Sequence, residues 1–204
     1  VNSDIEHKYP EGFSMNDFRA INTKDENPYT AAYYTIRSIR ENEIDVWFVL
    51  HDHPGPLAIW AEEAKVNSEV AIWGPRTTFT PPLDTNNYIL IADETAQPAA
   101  LASIENLNKN ENFICLFETQ NETTKFEYDD PEHRIEWIYR NDQPAGEGTE
   151  LLKRIKQLDV NSEKLYVFGA GEARQISTIR KTLKKNLDLN VDQMSFTGYW
   201  RKTS

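Results

Sequence analysis

The chain has 204 residues and a net charge of −11 at neutral pH. This length predicts one large domain or two small ones, with enough residues to bury a core without disulfides or a structural metal. The negative charge argues against nucleic acid as the main partner, because a phosphate backbone binds to a basic surface. No apolar run approaches the ~20 residues of a membrane-spanning helix, so no membrane insertion is expected. The single cysteine, Cys115, lies in the apolar run FICLF and is expected to be a buried thiol in a reducing cytoplasm.

The front of the chain predicts a β-rich region. The segment before residue 33 is polar and predicts a loosely held arm. Strands are predicted at residues 33–39, 44–50 and 69–73, because apolar and β-branched residues alternate there. A helix is predicted at residues 56–64, since a proline in the first helical turn costs no hydrogen bond.

The proline pair Pro81-Pro82 separates this front from a back half in which strands and helices alternate. Strands are predicted at residues 88–92, 113–118, 165–168 and 194–200, with two more candidates at 125–128 and 135–139. Helices are predicted at residues 94–106, 147–158 and 172–187. The alternation predicts a mainly parallel sheet with helices on its faces and a ligand site at the carboxyl ends of the strands. The predicted domains are therefore residues 1–82 and 83–204.

The stretch YILIADETAQPA joins a strand to a helix through three polar residues. Asp93 is a good N-cap, and Glu94 suits the positive end of a helix dipole. The free backbone groups of such a turn could equally face a ligand. Asp93, Glu94 and Thr95 therefore either cap the helix or line a site.

The stretch LYVFGAGEAR also turns on glycine from a strand into a helix. Gly169 and Gly171 permit close backbone approach, and the N–H groups that follow could bind an anion. It is not the dinucleotide fingerprint, because Arg174 stands where the third glycine belongs and no acidic residue closes a second strand at the expected distance. A phosphate turn and a plain strand-to-helix turn both remain open.

Other motifs are sparse. The pair His51 and His53 lies in a proline-glycine turn without further ligands at regular spacing, so no metal site is expected. Signatures of hydrolases and of P-loop proteins are absent. Tyr34, Thr35 and Arg37 combine an aromatic face, a hydroxyl and a cation, which together could hold a flat, phosphorylated cofactor.

Taken together, these segments resemble the siderophore-interacting protein family of flavin-dependent ferric-siderophore reductases, whose fold is that of ferredoxin–NADP reductase. The resemblance runs from Tyr34 to Arg201. The matching residues are Tyr34-Thr35-x-Arg37, Ile44-Asp45-Val46-x-Phe48-Val49-Leu50-His51, Gly55-Pro56-x-x-x-Trp60-Ala61, Gly74-Pro75-Arg76, Asp93-Glu94-Thr95-Ala96-x-Pro98-Ala99, Trp137-x-x-Arg140, Gly171-Glu172-Ala173 with Arg180, and Gly198-Tyr199-Trp200-Arg201.

The resemblance implies an α/β protein with a β-rich front, namely a partial flavin-binding β-barrel followed by an α/β nucleotide-binding domain. It implies FAD as cofactor, NADH or NADPH as electron donor and a ferric siderophore as substrate, with no metal held by the protein itself. The implied FAD-binding residues are Tyr34, Thr35, Arg37, His51, Gly55, Pro56, Ala58 and Trp60. Those implied for the nicotinamide cofactor or FAD are Glu94, Thr95, Gly171, Glu172 and Ala173, and the implied substrate-binding cations are Arg140, Arg201 and Lys202.

Three features depart from the family pattern. Ala32 stands where the flavin motif has arginine, and Leu57-Ala58 replaces an alanine-serine pair, so two polar flavin contacts are lost. Arg37 or backbone N–H groups could compensate for that loss; otherwise flavin binding is weakened or these residues are organised differently. The short, polar segment before Tyr34 predicts a barrel shortened at its N-terminus, or a chain that is a fragment.

Two alternatives stay open beside the reductase. A protein that has lost its flavin could still bind a siderophore or a nucleotide with the same fold. If each motif has only a structural role, the chain would instead be an unrelated interaction module.

Overall fold

A computed structural model describes residues 30–51, 55–70, 72, 74–108, 111–129, 134–141 and 143–202 of the chain. The chain divides into two compact units. The first, called the front unit, comprises Val1–Tyr33 and Phe48–Arg76, and the second, called the sheet unit, comprises Tyr34–Trp47 and Thr77–Ser204. The domain boundary at Pro82 stays a prediction.

In the front unit, helix α1 (Pro56–Glu63) confirms the predicted helix almost to the residue. Proline occupies its first turn, and Gly55 is its N-cap. Trp60 packs on Phe48 with 6.4 Å between ring centroids. The strand predicted at 69–73 is wrong for its described residues 69, 70 and 72, which lie outside any strand. Alternation alone does not form a strand, because a strand requires a neighbour with which to pair.

The sheet unit begins with an antiparallel hairpin of β1 (Ile36–Arg40) and β2 (Glu43–Val46). Ile39 pairs with Ile44, and the turn between the strands places Glu41 at φ 45°. The predicted strands 33–39 and 44–50 are thus confirmed only over residues 36–39 and 44–46, on either side of the hairpin turn.

The main sheet has five described strands, all parallel to their neighbours. They are β3 (Asn87–Ala92), β4 (Asn112–Thr119), β5 (Ile135–Tyr139), β6 (Leu165–Glu172) and β7 (Met194–Trp200), in the order β5-β4-β3-β6-β7. The central strands β3 and β6 are almost continuously apolar because helices cover both faces of the sheet. The predicted parallel sheet is confirmed.

Helix α2 (Gln97–Ile104) packs on one face of this sheet, whereas α3 (Glu150–Lys156) and α4 (Ala173–Leu187) pack on the other. Alternate strand residues supply the two cores. Leu90 and Phe117 point toward α2, and Ile91 and Leu116 point toward α3 and α4. Cys115 is buried in the α2 core, as predicted.

The strand predicted at 125–128 is wrong, because residues 125–128 form no strand. Phe126 instead packs its ring against Trp137 and Trp47, with centroids 4.9 and 5.3 Å away. The aromatic side chain is thus partly buried, although its backbone pairs with no strand. Across the described part of the chain, no helix has both the length and the apolar character required to cross a membrane.

Candidate functional site

The order of the strands fixes where a ligand can bind. From β3 the chain moves outward to β4 and β5, then returns across the sheet to β6 and β7. The direction of this progression reverses between β3 and β6, and open α/β sheets bind ligands in the crevice at that point, beyond the carboxyl ends of the strands. The carboxyl ends of β3 and β6 carry the two motifs DETAQPA and GAGEAR. The sheet therefore brings the two turns singled out in the sequence to one edge, called here the carboxyl edge.

Asp93 is the central side chain of this edge and is buried. One carboxylate oxygen, Oδ1, accepts from the backbone N–H of Thr95 at 3.0 Å and from its hydroxyl at 2.5 Å. The other, Oδ2, accepts from the N–H of Glu172 at 3.0 Å and from Nε1 of Trp200 at 2.8 Å. Burial raises the pKa of Asp93, while the hydrogen bonds from Thr95 and Trp200 oppose that rise. The Asp93 carboxylate thus links the carboxyl ends of β3, β6 and β7 by hydrogen bonds.

Gly171 makes this arrangement possible. It adopts φ +148°, and a Cβ there would lie 2.6 Å from Oδ2 of Asp93. A side chain at this position would push the carboxylate out of its hydrogen bonds. The glycine of the GAGEAR motif therefore serves a contact within the protein.

Glu172 caps helix α4 with its own side chain. Its Oε2 accepts from the backbone N–H groups of Arg174 at 2.6 Å and Gln175 at 2.8 Å, and its Oε1 accepts from the N–H of Lys202 at 3.3 Å. A carboxylate at the positive end of a helix is stabilised there in the same way as a bound phosphate. The N–H groups that the sequence suggested for an anion are thus occupied by the protein itself.

In the turn after β3, backbone N–H groups are likewise bonded within the protein. The N–H groups of Ala96 and Gln97 donate to the carbonyl oxygen of Asp93, and Pro98 has no N–H. The N-cap of α2 is Ala96, so the predicted start at Glu94 and the prediction that Asp93 is the N-cap are wrong. The short side chain of Asp93 bonds two residues ahead and forms a separate turn before the helix.

An ion pair spans the carboxyl end of β4. Arg140, which follows β5, places Nη1 2.7 Å from Oε1 and 2.9 Å from Oε2 of Glu94, which follows β3. The N–H of Gln120 adds a hydrogen bond of 3.0 Å to the same carboxylate. The side chain of Arg140 is only 9% exposed. This cation, predicted for substrate binding, is therefore engaged by Glu94.

Glu118, near the end of β4, is the acidic side chain of this edge that the motif search missed. It is fully buried, its Oε1 accepts from Nε2 of Gln175 at 3.1 Å, and its Oε2 has no hydrogen-bond partner. Burial raises its pKa to about 7, although the charge of Arg140 works against the shift. Glu118 lies in β4, before the GAGEAR motif in the chain, and was not singled out from the sequence. The signal was a lone glutamate in the apolar run FICLFET.

The segment 144–148, called here the glycine strap, lies directly on these carboxylates. A Cβ on Gly146 would lie 2.6 Å from Cγ of Glu172, and one on Gly148 would lie 2.5 Å from Oε1 of Glu118. Glu147 in the strap pairs with Lys202 beyond β7 at 2.5 Å. Lys202, another predicted substrate-binding residue, is thus also paired, whereas Arg201 is exposed.

The hairpin carries the three residues first considered for a flat cofactor. Tyr34 is 41% exposed, and the side chains of Thr35 and Tyr199 are hydrogen-bonded to each other. Arg37 makes a bidentate pair with Glu105 at the end of α2, at 2.7 and 2.6 Å, and its guanidinium lies 5.4 Å from the ring centroid of Trp47. Arg37, one of the groups that could replace the lost cofactor contact, is thus paired with Glu105.

The remaining predicted cofactor residues belong to the front unit. His51, Gly55 and Pro56 are exposed, Trp60 is partly buried, and Ala58 is buried. The partner histidine of His51 in the sequence pair, His53, lies outside the described residues. The assignment of the FAD residues stays a prediction.

Two families of sequences match the chain one after the other. The family "Siderophore-interacting FAD-binding domain" matches residues 4–79, and the family "Siderophore-interacting protein" matches residues 85–203. The second match alone covers more than half of the chain.

Individual proteins give the same result. Ferric vibriobactin reductase ViuB of Vibrio cholerae is 29% identical over 176 residues, which are 83% of this chain and 64% of that protein. The chain therefore spans less than two thirds of the length of this relative. The siderophore-interacting protein of Acinetobacter baumannii superposes with a TM-score of 0.77 at 22% identity, over 90% of this chain and 74% of that one. A mutant of ferredoxin-NADP+ reductase from Plasmodium falciparum superposes with a TM-score of 0.60 at 16% identity, over 86% of this chain and 79% of that one. These likenesses confirm the predicted ferredoxin reductase-like fold.

Proposed function

Because the chain belongs to the siderophore-interacting protein family, we propose that it acts as an NAD(P)H-dependent flavin reductase, which reduces ferric siderophores and releases their iron as Fe(II). The observation that carries the proposal is the order of the two family matches, an FAD-binding domain at residues 4–79 followed by residues 85–203. The boundary between the matches supports domains that meet at Pro82. The curated relative with 29% identity is named a ferric siderophore reductase, which supports the substrate class.

FAD, when bound, supplies the exchange between the two-electron chemistry of a hydride donor and the one-electron reduction of Fe(III). Hard oxygen chelators hold Fe(II) more weakly than Fe(III), so reduction releases the metal. The protein has to bind and orient both partners and needs no metal ligand of its own. A cytoplasmic location follows from this proposal, because the nicotinamide donor is found there.

The residues of the front unit fit the pyrophosphate of FAD. Among the described residues no side chain caps α1, and its first turn has no acidic residue. A Cβ on Gly55 would meet no described atom within 4 Å, so a phosphate could approach the backbone there. An uncapped helix start is favourable for an anion. In this proposal Gly55 and Pro56 meet the pyrophosphate, accompanied by His51, Ala58 and Trp60.

In the sheet unit, the residues proposed for the flavin ring are Tyr34 and Thr35. The half-exposed ring of Tyr34 offers an aromatic face for stacking. The hydroxyl of Thr35, which is hydrogen-bonded to Tyr199, offers a polar contact to the ring edge. Arg37 takes no part, because Glu105 holds its guanidinium.

The carboxyl edge fits the uncharged groups of a nicotinamide dinucleotide better than its phosphates. Glu172 and Asp93 already occupy the backbone donors of the two turns. Ribose hydroxyls and the carboxamide can still bond to Glu94, Thr95 and the Gly171–Ala173 turn. The phosphates, and an anionic siderophore, would depend on exposed cations such as Arg201.

The proposal is tested by purifying the full chain and recording its absorption spectrum. We expect flavin bands, bleaching by NADH or NADPH without oxygen, and formation of a coloured Fe(II) chelate when a ferric siderophore is added. A colourless protein that cannot be reconstituted with FAD would exclude the reductase. Quenching of tryptophan fluorescence by a ferric siderophore in such a colourless protein would support the alternative of a flavin-free binding protein.

A further inference from the structure

The carboxyl edge carries more negative than positive charge. Four carboxylates project from the ends of the three central strands, namely those of Asp93, Glu94, Glu118 and Glu172. Arg140 is the cation that the described residues bring among them, and its side chain is 9% exposed. Local charge of this kind decides which anions a cleft accepts.

Glu94 neutralises that cation. Its carboxylate binds Nη1 of Arg140 through both oxygens, at 2.7 and 2.9 Å, and the N–H of Gln120 at 3.0 Å holds the carboxylate in place. Glu118, which is close enough to Arg140 to interact with its charge, is fully buried, with Oε2 unpartnered. The carboxylate of Glu94 alone balances the charge of Arg140, so that no surplus charge remains for a ligand.

Other positive groups near this edge are paired with protein side chains, lie far from the edge or are exposed to solvent. Lys202 pairs with Glu147, and the N-terminus of α4 is capped by Glu172. The basic pairs Arg180-Lys181 and Lys184-Lys185 lie further along α4, away from its start. Arg174 and Arg201 are exposed, where water and salt weaken their interaction with an anion.

The two nicotinamide donors differ at one group. NADPH carries a 2′-phosphate with a charge near −2, which proteins accommodate with arginine, whereas NADH carries a free 2′-hydroxyl, which accepts an acidic neighbour. We infer that the carboxyl edge selects NADH over NADPH, with Glu94 as the specificity-determining residue because it holds Arg140. The assignment rests on the proposed function, since it names the donor for that same reaction.

Binding to the full chain tests the assignment without any turnover. Isothermal titration with 5′-ADP and with 2′,5′-ADP compares ligands that differ only in the 2′-phosphate. We expect 5′-ADP to bind the wild-type protein at least tenfold more tightly. Tighter binding of 2′,5′-ADP, or no binding of either ligand, would overturn the assignment.

Substitutions then identify the residue responsible. Glu94→Gln should release Arg140 and raise the affinity for 2′,5′-ADP at least tenfold at low salt, with no such gain for 5′-ADP. The double variant Glu94→Gln with Arg140→Met should lose that gain. Glu136→Gln is the matched control, because it frees Arg154 from a pair of 2.7 and 2.8 Å near the amino end of β5. An equal gain in this control, or none in Glu94→Gln, would contradict the role of Glu94.

A second variant tests the assignment if Glu94→Gln does not fold. The double variant Glu94→Leu with Arg140→Met removes both charges of the pair, and if Arg140 is not available to a 2′-phosphate it should bind the two ligands with the same ratio of affinities as the wild type. A fall in affinity for 2′,5′-ADP alone would mean that Arg140 does bind the phosphate, and would overturn the assignment. Absence of NADH oxidation combined with a preference for 5′-ADP would count against the reductase and leave the nucleotide preference standing.

Discussion

The indole nitrogen Nε1 of Trp200 donates a hydrogen bond of 2.8 Å to Oδ2 of Asp93. This bond joins the end of β7 to the turn after β3, across the strand β6 that lies between them. The same oxygen accepts from the N–H of Glu172, so three strand ends meet on one carboxylate. The geometry of the candidate nucleotide cleft therefore depends on a residue close to the end of the described chain.

Replacement of Trp200 by phenylalanine should destabilise the protein. The substitution removes one of the donors of a buried carboxylate, and hydrogen bonds to charged groups contribute about 1.5–3 kcal/mol. We expect the free energy of unfolding in urea to fall by roughly that amount. Tyr199→Phe is the matched control, because Tyr199 is adjacent, 37% exposed and does not bond to Asp93. Equal stability of the Trp200→Phe variant and the wild type would contradict the prediction.

An alanine at Gly171 should be poorly tolerated. Its Cβ would lie 2.6 Å from Oδ2 of Asp93, and φ +148° is unfavourable for a residue with a side chain. We expect a loss of about 2 kcal/mol or more in thermal or urea unfolding. Gly55→Ala serves as comparison, because a Cβ there meets nothing within 4 Å and φ is −71°. Similar losses for the two variants would show that the contact with Asp93 is not the cause.

The pair between Arg37 and Glu105 should stabilise the hairpin against α2. The side chain of Arg37 is 12% exposed and bonds to both carboxylate oxygens, a geometry that lysine cannot reproduce. We therefore expect Arg37→Lys to lower the free energy of unfolding by about 1–3 kcal/mol. The control is Arg40→Lys, which alters an exposed pair with Asp45 in the same hairpin and should cause a clearly smaller loss. A larger loss in the control would contradict the prediction.

Glu118 should make stability depend on pH. Burial raises its pKa to about 7 from the usual 4.5, so between these values the folded protein holds a proton that the unfolded chain releases. Stability must then fall as pH rises through this window, because the folded state binds more protons there. Glu118→Gln has no carboxyl group to titrate at this position. Above pH 7 the variant should be more stable than the wild type by roughly 1–3 kcal/mol, and near pH 4.5 the two should differ little in stability. A difference between the two unfolding curves that does not change with pH would contradict the shift.

Most of the sheet could be predicted from sequence because its strands are long, apolar and bounded by turn residues. β7 matches its predicted ends, and the ends of β3, β4 and β6 lie at most four residues from the predicted ones. Their hydrophobic runs reflect burial on both faces, which is a local property of the sequence. The strands predicted at 69–73 and 125–128 failed because pairing depends on a partner that a short window does not contain.

The candidate site was only partly predictable, for a different reason. The motifs located the DETAQPA and GAGEAR turns correctly, and the family resemblance brought them together. Which acceptors bind the backbone N–H groups of these turns depends on side-chain geometry. The capping of α4 by Glu172 could therefore not be predicted from the sequence. Glu118 was missed because a buried acid in a strand matches no motif, and the pair between Arg37 and Glu105 was not foreseen because the two residues are 68 positions apart.

The division into units has a consequence for any attempt to express the two halves separately. The polypeptide leaves the sheet unit after Trp47, passes through the front unit as far as Arg76 and then returns at Thr77. The sheet unit is therefore discontinuous in sequence, and a single cut at Pro82 would remove the hairpin that carries Arg37 and Trp47 from it. A fragment that starts after Pro82 would leave Glu105 without its cation and would remove Trp47 from the ring of Phe126. Dissection of this protein would thus require a circularly permuted chain or a retained hairpin rather than simple truncation.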